Sequence, residues 1–218
     1  EICACLVGSE MCIRDRDVID RGKQSMEIFL DMMNRPNVVF LMGNHELMAM
    51  DCLQVLVQQM RQEDIAALDD DSRVKMRRWL RNGAQITIDA FHQLDSETTE
   101  RVIEYIQRAK PYTEIKMGEK TYILVHGGLR DFAPDKPLSV YALYDLVWER
   151  PDYGIPYFTD HRYVITGHTP TIEIAANPKP GYIYRKNHHI AIDCGCCYAG
   201  GQLGCIRLDD EKEFYVAP

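Results

Sequence analysis

Short apolar runs alternate with helix-like stretches in the first third of the chain. Between residues 25 and 34 apolar side chains recur at helical spacing, and Pro36-Asn37 ends that stretch. Residues 38–42 are a continuous apolar run that ends at Gly43, which is typical of a buried strand. Helical spacing resumes at Leu47 and continues to Met60. The pattern therefore predicts a helix, a buried strand and a second helix in succession.

The rest of the chain divides into a helical middle and a strand-rich end. Residues 61–110 have a helical pattern with polar breaks, and we interpret about residues 61–111 as a helical insertion. The sequence then predicts a hairpin of strands over 112–117 and 121–125, a helix over 138–147 and a strand over 163–165. Residues 182–216 read as a run of strands. This succession predicts an α/β fold with a sandwich of two sheets.

Composition narrows the class of protein. With 218 residues, a single domain with its own core is expected, and 33 acidic against 25 basic residues give a net charge of −8. That balance argues against a nucleic-acid surface, and no apolar run is long enough to span a bilayer. Seven of the eight cysteines lie near the two ends of the chain, so we expect reduced thiols in the cytoplasm rather than a secreted disulfide scaffold. A zinc site at 194–205 is disfavoured because its Cys-Gly-Cys-Cys spacing is not that of a zinc knuckle.

Four polar segments carry the candidate chemistry, each in a loop or just beyond an apolar run. They are Asp17-Val18-Ile19-Asp20-Arg21-Gly22, Gly43-Asn44-His45-Glu46, Val125-His126-Gly127-Gly128 and Thr166-Gly167-His168-Thr169. Taken singly, each has an ordinary structural explanation such as a salt-bridged turn or an asparagine helix cap. In this order they resemble the motifs of the phosphoprotein-phosphatase type of metallophosphatase. The resemblance runs from Asp17 to roughly Asp193.

The resemblance implies a metallophosphoesterase-type sandwich of two mixed β-sheets flanked by helices. It also implies two divalent metal ions, with manganese expected and iron or zinc compatible with the same donors. Two ions about 4 Å apart can bind phosphate oxygens and activate a water for attack on a phosphoester. By resemblance, Asp17 bridges the metals, while Asn44, His126 and His168 complete the second metal site.

The remaining motif residues take the other roles that the reaction needs. By resemblance, His45 is the general acid for the leaving alkoxide, and Asp20 orients it. Arg21 has the fork geometry that suits phosphate oxygens, and Arg150 resembles a second phosphate-binding arginine. We therefore expect a bacterial-type phosphatase whose partner is a phosphorylated protein or a small phosphoester.

One part of the family pattern is missing. The Gly-Asp-x-His-Gly segment that supplies the first metal has no counterpart, since only 16 residues precede Asp17 and the first histidine is His45. Residues 1–16 resemble a translated sequencing adapter, so we interpret them as non-native and residues 17–218 as the catalytic domain; a genuine divergent N-terminus is the alternative. The chain as written is expected to be unstable and weakly active or inactive.

Two other functions stay open at the level of sequence. A hydrolase of dinucleoside polyphosphates such as diadenosine tetraphosphate shares the same core motifs, because substrate choice lies in loops and insertions. A phosphatase-like binding protein, or an inactive fragment lacking the first metal site, would also fit the missing aspartate–histidine pair. Phosphoserine or phosphothreonine hydrolysis is the leading interpretation.

Overall fold

A computed structural model describes residues 3–7, 10–14, 17–60 and 69–217, with side chains described over 17–53 and 69–217. Its elements in chain order are β1 (Cys3–Val7), β2 (Glu10–Arg14), α1 (Ser25–Met33), β3 (Val38–Phe40), α2 (Asn44–Met60), α3 (Asp70–Arg81), α4 (Gln85–Phe91), α5 (Ser96–Gln107), β4 (Tyr112–Met117), β5 (Lys120–Val125), a 3-10 turn (Leu138–Val140), α6 (Leu143–Val147), β6 (Arg162–Thr166), β7 (Tyr184–Lys186), β8 (His189–Ala191), β9 (Leu203–Arg207) and β10 (Lys212–Val216). None of the described helices combines the length and the apolar character needed to cross a bilayer.

The chain divides into two compact units. The sheet unit comprises residues 1–16, 37–43 and 110–218, and the helical unit comprises residues 17–36 and 44–109. The helical unit is thus larger than the predicted insertion, because α1 and the whole of α2 cluster with α3, α4 and α5. The predicted boundary after residue 16 and the single catalytic domain stay predictions.

Two five-stranded sheets form the sheet unit. One has the order β10-β9-β2-β1-β3 with antiparallel pairing throughout, and the other has the order β4-β5-β6-β8-β7. In the second sheet β5, β6 and β8 are parallel neighbours, while β4 and β7 pair antiparallel at its edges. The predicted α/β class with two sheets and flanking helices is confirmed, and the mixed pairing is confined to the second sheet.

The two sheets share one apolar core. Leu124 on β5 and Ile165 on β6 belong to the same buried cluster as Ile206 on β9 and Cys194. On its other face, β5 packs with α6, where Leu146 is almost fully buried. Alternate residues of β5 and β6 therefore serve two different cores, which explains why both strands read as continuous apolar runs.

The helical unit is organised around a few large side chains. Phe29 of α1 is fully buried and meets Tyr105 of α5 edge to face, with ring centroids 5.6 Å apart. Asp69 and Asp95 cap α3 and α5 by accepting hydrogen bonds from the backbone N–H groups of Ser72 and Thr98, each at 2.7 Å. The polar breaks that the sequence shows at these two aspartates are therefore the starts of helices.

Most predicted elements are confirmed, including the β4–β5 hairpin and the strand-rich tail. The continuous helix predicted over 138–147 is wrong. Tyr141 and Ala142 interrupt it with extended backbone, at ψ 133° and 146°, and this brings the Tyr141 ring into the core. Residues 61–68, part of the predicted insertion, lie outside the described residues.

Candidate active site

The loop of residues 17–21 is anchored to the first turn of α2. Glu46, on that turn, is fully buried, and its Oε1 accepts hydrogen bonds from the backbone N–H groups of Val18 at 2.8 Å and Ile19 at 3.3 Å. The His45 backbone N–H donates to Asp17 Oδ1 at 3.3 Å. Residues 28 positions apart in the chain are thereby held together, with Asn44 buried as the first residue of α2.

Glu46 was part of a recognised motif but received no role from the sequence. Burial, and secondarily the charge of Asp17, raises the pKa of Glu46 to about 8. Its second oxygen, Oε2, is buried without a hydrogen-bond partner among the described residues. A neutral carboxyl group that accepts two backbone hydrogen bonds through Oε1 fits this surrounding.

His45 and Asp20 form a buried pair. The His45 Nδ1 lies 2.7 Å from Asp20 Oδ2, and the side chains are 3% and 0% exposed. At the opposite edge of the ring, Nε2 lies 3.3 Å from an Arg21 guanidinium nitrogen and 3.9 Å from Asp17 Oδ2. Because a guanidinium only donates, the contact with Arg21 describes the neutral ring, in which Nε2 has a lone pair and the proton lies on Nδ1, facing Asp20. In the protonated ring, Nδ1 keeps this hydrogen bond and Nε2 also carries a proton.

The electrostatic surroundings of His45 favour its protonated form. Burial acts to lower the pKa of His45, but the charge of Asp17 and the hydrogen bond and charge of Asp20 outweigh it and raise the pKa. A raised pKa increases the fraction of His45 that carries a second ring proton. The predicted general acid and its orienting carboxylate are thus brought together with Asp17 and Arg21 in the helical unit.

The sheet unit brings the two predicted histidine ligands together. His126 follows β5 and His168 follows β6, and these parallel strands are neighbours. The Gly167 N–H donates to the His126 carbonyl at 2.9 Å, and the two imidazole centroids lie 5.1 Å apart. His168 adopts a left-handed backbone with φ 60°, which is uncommon for a residue with a side chain. The carboxyl ends of β5 and β6 therefore present both rings at one edge of the sheet.

The backbone beside His126 explains one glycine of this motif. A Cβ on Gly127 would lie 2.9 Å from the carbonyl oxygens of Leu146 and Glu149. Only glycine therefore fits without displacing the backbone at the end of α6 and in the loop that follows it. The same loop places Trp148 against His168, with an edge-to-face contact at 5.7 Å. Arg150 follows on it, exposed and paired with Glu173 at 3.1 Å. Its assignment to phosphate binding stays a prediction.

Comparison with known proteins identifies the family. Residues 17–203 match the family model described as calcineurin-like phosphoesterase. The chain belongs to this family. Proteins of this family are phosphoesterases and generally use two divalent metal ions. The resemblance inferred from the four motifs is therefore confirmed.

A bacterial relative points in the same direction. Over 142 residues the chain is 25% identical to Serine/threonine-protein phosphatase 2 of Salmonella typhimurium, an alignment that covers 65% of this chain and 56% of that protein. The chain thus spans about half the length of this relative.

The donor atoms suit one of the family's two ions. Carboxylate, amide and imidazole groups at Asp17, Asn44, His126 and His168 form the mixed oxygen and nitrogen set that manganese, iron and zinc accept. Two of these residues lie in each unit. Among the described residues, no three His, Cys, Asp or Glu side chains are grouped closely enough to hold a metal ion. The assignment of these four residues as ligands stays a prediction, and the described residues offer no second donor set.

Trp79 and Thr87 are the residues near the site that the sequence did not single out for function. Both lie within the insertion and donate hydrogen bonds to Asp20 across 59 and 67 positions of chain. Trp79 carried a signal as one of only two tryptophans, whereas Thr87 carried none. In the tail, Cys194 and Cys205 are buried, whereas Cys196 is half-buried and Cys197 is exposed.

Proposed function

We propose that this chain is a metal-dependent phosphomonoesterase that acts on phosphoserine and phosphothreonine in proteins. The observation that carries the proposal is the buried His45–Asp20 pair with Arg21 and Asp17 at its outer edge. A protonated imidazole beside an arginine provides a proton for a leaving alkoxide and a donor for phosphate oxygens. The bacterial relative, named as a serine/threonine-protein phosphatase, supports the choice of substrate class.

Each residue has a role in this proposal. Asp17, Asn44, His126 and His168 hold the metal, which when bound polarises phosphate oxygens and activates water. Arg21 and Arg150 bind the phosphate. His45 donates the proton from Nε2 to the departing serine or threonine oxygen, and Asp20 keeps the ring in place through Nδ1. Manganese is the proposed metal and a bacterial cytoplasm the proposed location, where free thiols such as Cys52 persist.

The test measures metal binding and hydrolysis on the same preparation. The chain is stripped with a chelator and titrated with Mn²⁺ by calorimetry, and hydrolysis of p-nitrophenyl phosphate and of a phosphothreonine peptide is then followed. We expect weak, Mn²⁺-dependent hydrolysis, because the donors assigned among the described residues suit one ion. Asp17→Asn should abolish both metal binding and hydrolysis. Even the loss of a residue that only supports a ligand lowers metal affinity or activity by about 10–100-fold, and the loss of a ligand should cost more.

Matched measurements separate the other functions. Asp209→Asn, an exposed acid of the sheet unit, serves as the control and should leave both readouts unchanged. Faster hydrolysis of diadenosine tetraphosphate than of the phosphopeptide would show that dinucleoside polyphosphates, and not phosphoproteins, are the substrate class. Mn²⁺-dependent binding of the phosphopeptide without turnover would favour a binding protein. Absence of Mn²⁺ binding would overturn the proposal as a whole.

A further inference from the structure

The Asp20 carboxylate receives three side-chain hydrogen bonds. The Thr87 hydroxyl donates to Oδ1 at 2.6 Å, and the Trp79 indole N–H donates to Oδ2 at 2.7 Å. Oδ2 also accepts from His45 Nδ1 at 2.7 Å. Both oxygens are therefore engaged, and rotation of the carboxylate would break at least two of these bonds.

Thr87 also fixes the backbone of Asp20. Its hydroxyl oxygen accepts a hydrogen bond from the Asp20 N–H at 2.9 Å while its proton goes to the carboxylate of the same residue. Asp20 has a left-handed backbone with φ 71°, a conformation that persists only where its surroundings determine it. One hydroxyl thus holds Asp20 at both its backbone and its side chain.

Packing alone does not account for this arrangement. Trp79 and Thr87 are 0% and 1% exposed, and a core needs only apolar surface at such positions. Here the polar atom of each side chain is directed at the same carboxylate. A buried carboxylate requires such partners, and their number decides how narrowly its orientation is set.

We propose that Trp79 and Thr87 of the helical insertion are positioning residues that fix the Asp20 carboxylate and, through it, the imidazole of His45 for protonation of the leaving alkoxide. The last step of this inference rests on the proposed function. The insertion then has a defined part in the reaction, because it supplies the two side chains that orient the general acid through Asp20.

The first arm of the test is independent of activity. Imidazole ¹⁵N spectra of the metal-free protein report the tautomer of His45, and proton exchange of the Trp79 indole is compared with that of Trp148, the other tryptophan. In Thr87→Val, which removes the hydroxyl but keeps the shape, a second His45 tautomer should appear and Trp79 exchange should accelerate. Thr87→Ser should restore the parent spectra. Unchanged spectra in Thr87→Val would overturn the claim that Thr87 fixes Asp20 and, through it, His45.

A matched control separates positioning from loss of stability. Thr99 of α5 is another buried threonine of the helical unit, and its hydroxyl donates to the Asp95 carbonyl at 2.9 Å. Thr99→Val removes the same chemical group away from Asp20. It should lower thermal stability while leaving the His45 tautomer and turnover unchanged.

The second arm compares two leaving groups with Mn²⁺ present. Phenyl phosphate needs a proton on its leaving group, whereas p-nitrophenyl phosphate hardly does. In Thr87→Val and Trp79→Phe, kcat for phenyl phosphate should fall about 10-fold, and kcat for p-nitrophenyl phosphate should fall less than about 3-fold, with KM unchanged. Thr87→Ser should stay near the parent.

The outcomes distinguish this inference from the proposed function. Equal losses on both substrates, matched by Thr99→Val, would overturn the positioning role and leave the phosphatase proposal intact. A parent chain without Mn²⁺-dependent hydrolysis would overturn the phosphatase proposal, and the spectra would still decide whether Trp79 and Thr87 hold Asp20 and His45.

Discussion

Asp20 depends on a close backbone approach as well as on its hydrogen bonds. Gly83 has φ 105°, a region that side chains rarely adopt, and a Cβ placed there would lie 2.6 Å from the Asp20 carbonyl oxygen. Because the atom it meets is backbone, a rotamer change cannot relieve the contact. The glycine after α3 is therefore needed for the position of Asp20.

We predict that Gly83→Ala lowers the free energy of unfolding by about 2–4 kcal/mol, from backbone strain together with displacement of Asp20. Chemical denaturation followed by circular dichroism measures the loss. Gly118→Ala is the control, since Gly118 also has a positive φ of 59° but has nothing within 4 Å of its added Cβ. The free energy of unfolding of Gly118→Ala should fall by only about 1 kcal/mol. Equal losses in the two variants would contradict the role of the contact between Gly83 and Asp20.

At the residue scale, the sequence is informative where a motif carries the chemistry. Asp17, Asp20, Arg21 and His45 were found from their order along the chain, and the structure brings them together. Thr87 was not found, because a threonine in the middle of a helical pattern has many explanations and its partner lies 67 residues away. Local periodicity contains no information about which buried hydroxyl meets a carboxylate.

At the scale of elements, local patterns predict strands and turns better than they predict pairing. The β4–β5 hairpin follows from alternation around Gly118, which adopts the positive φ that its turn requires. The order β10-β9-β2-β1-β3 places elements from the two ends of the chain side by side. Such pairing depends on the apolar core that the two sheets share, and a local stretch of sequence gives no information about that core.

Glu211 links elements of both sheets in the turn between β9 and β10. Its carboxylate pairs with Lys120 of β5 at 2.5 Å and with Arg185 of β7 at 2.6 Å, and it accepts from the Tyr122 hydroxyl at 2.6 Å. Partial burial acts to raise the pKa of Glu211, but the hydrogen bonds from these three side chains outweigh it and lower the pKa to about 2. The network therefore favours the ionised carboxylate.

We predict that Glu211→Gln destabilises the protein by about 1–2 kcal/mol at neutral pH, a value reduced for partial exposure. A folded-state pKa below the ordinary value means that Glu211 contributes stability above about pH 4.5 and loses it as pH falls toward 2. Denaturation midpoints between pH 7 and pH 3 should therefore converge for parent and variant. Glu119→Gln, at the exposed β4–β5 turn, is the control, and a constant gap across this range would contradict the charge-dependent role.

At the scale of the whole molecule, the proposed metal ligands are divided between the two compact units. Asp17 and Asn44 belong to the helical unit, while His126 and His168 belong to the sheet unit. An activity assay reports on both pairs at once, so metal binding at each pair is measured separately.

We predict that Mn²⁺ slows amide exchange in both units, around residues 44–47 and around residues 126–129 and 166–169. At a free concentration about 100 times the dissociation constant, binding stabilises the folded state by about 2.7 kcal/mol. Asp17→Asn should abolish protection around residues 44–47, and His126→Asn should abolish it around residues 126–129 and 166–169. The same samples with excess chelator provide the baseline. Protection that remains around residues 44–47 in Asp17→Asn, or around residues 166–169 in His126→Asn, would show that the substituted residue is not a ligand.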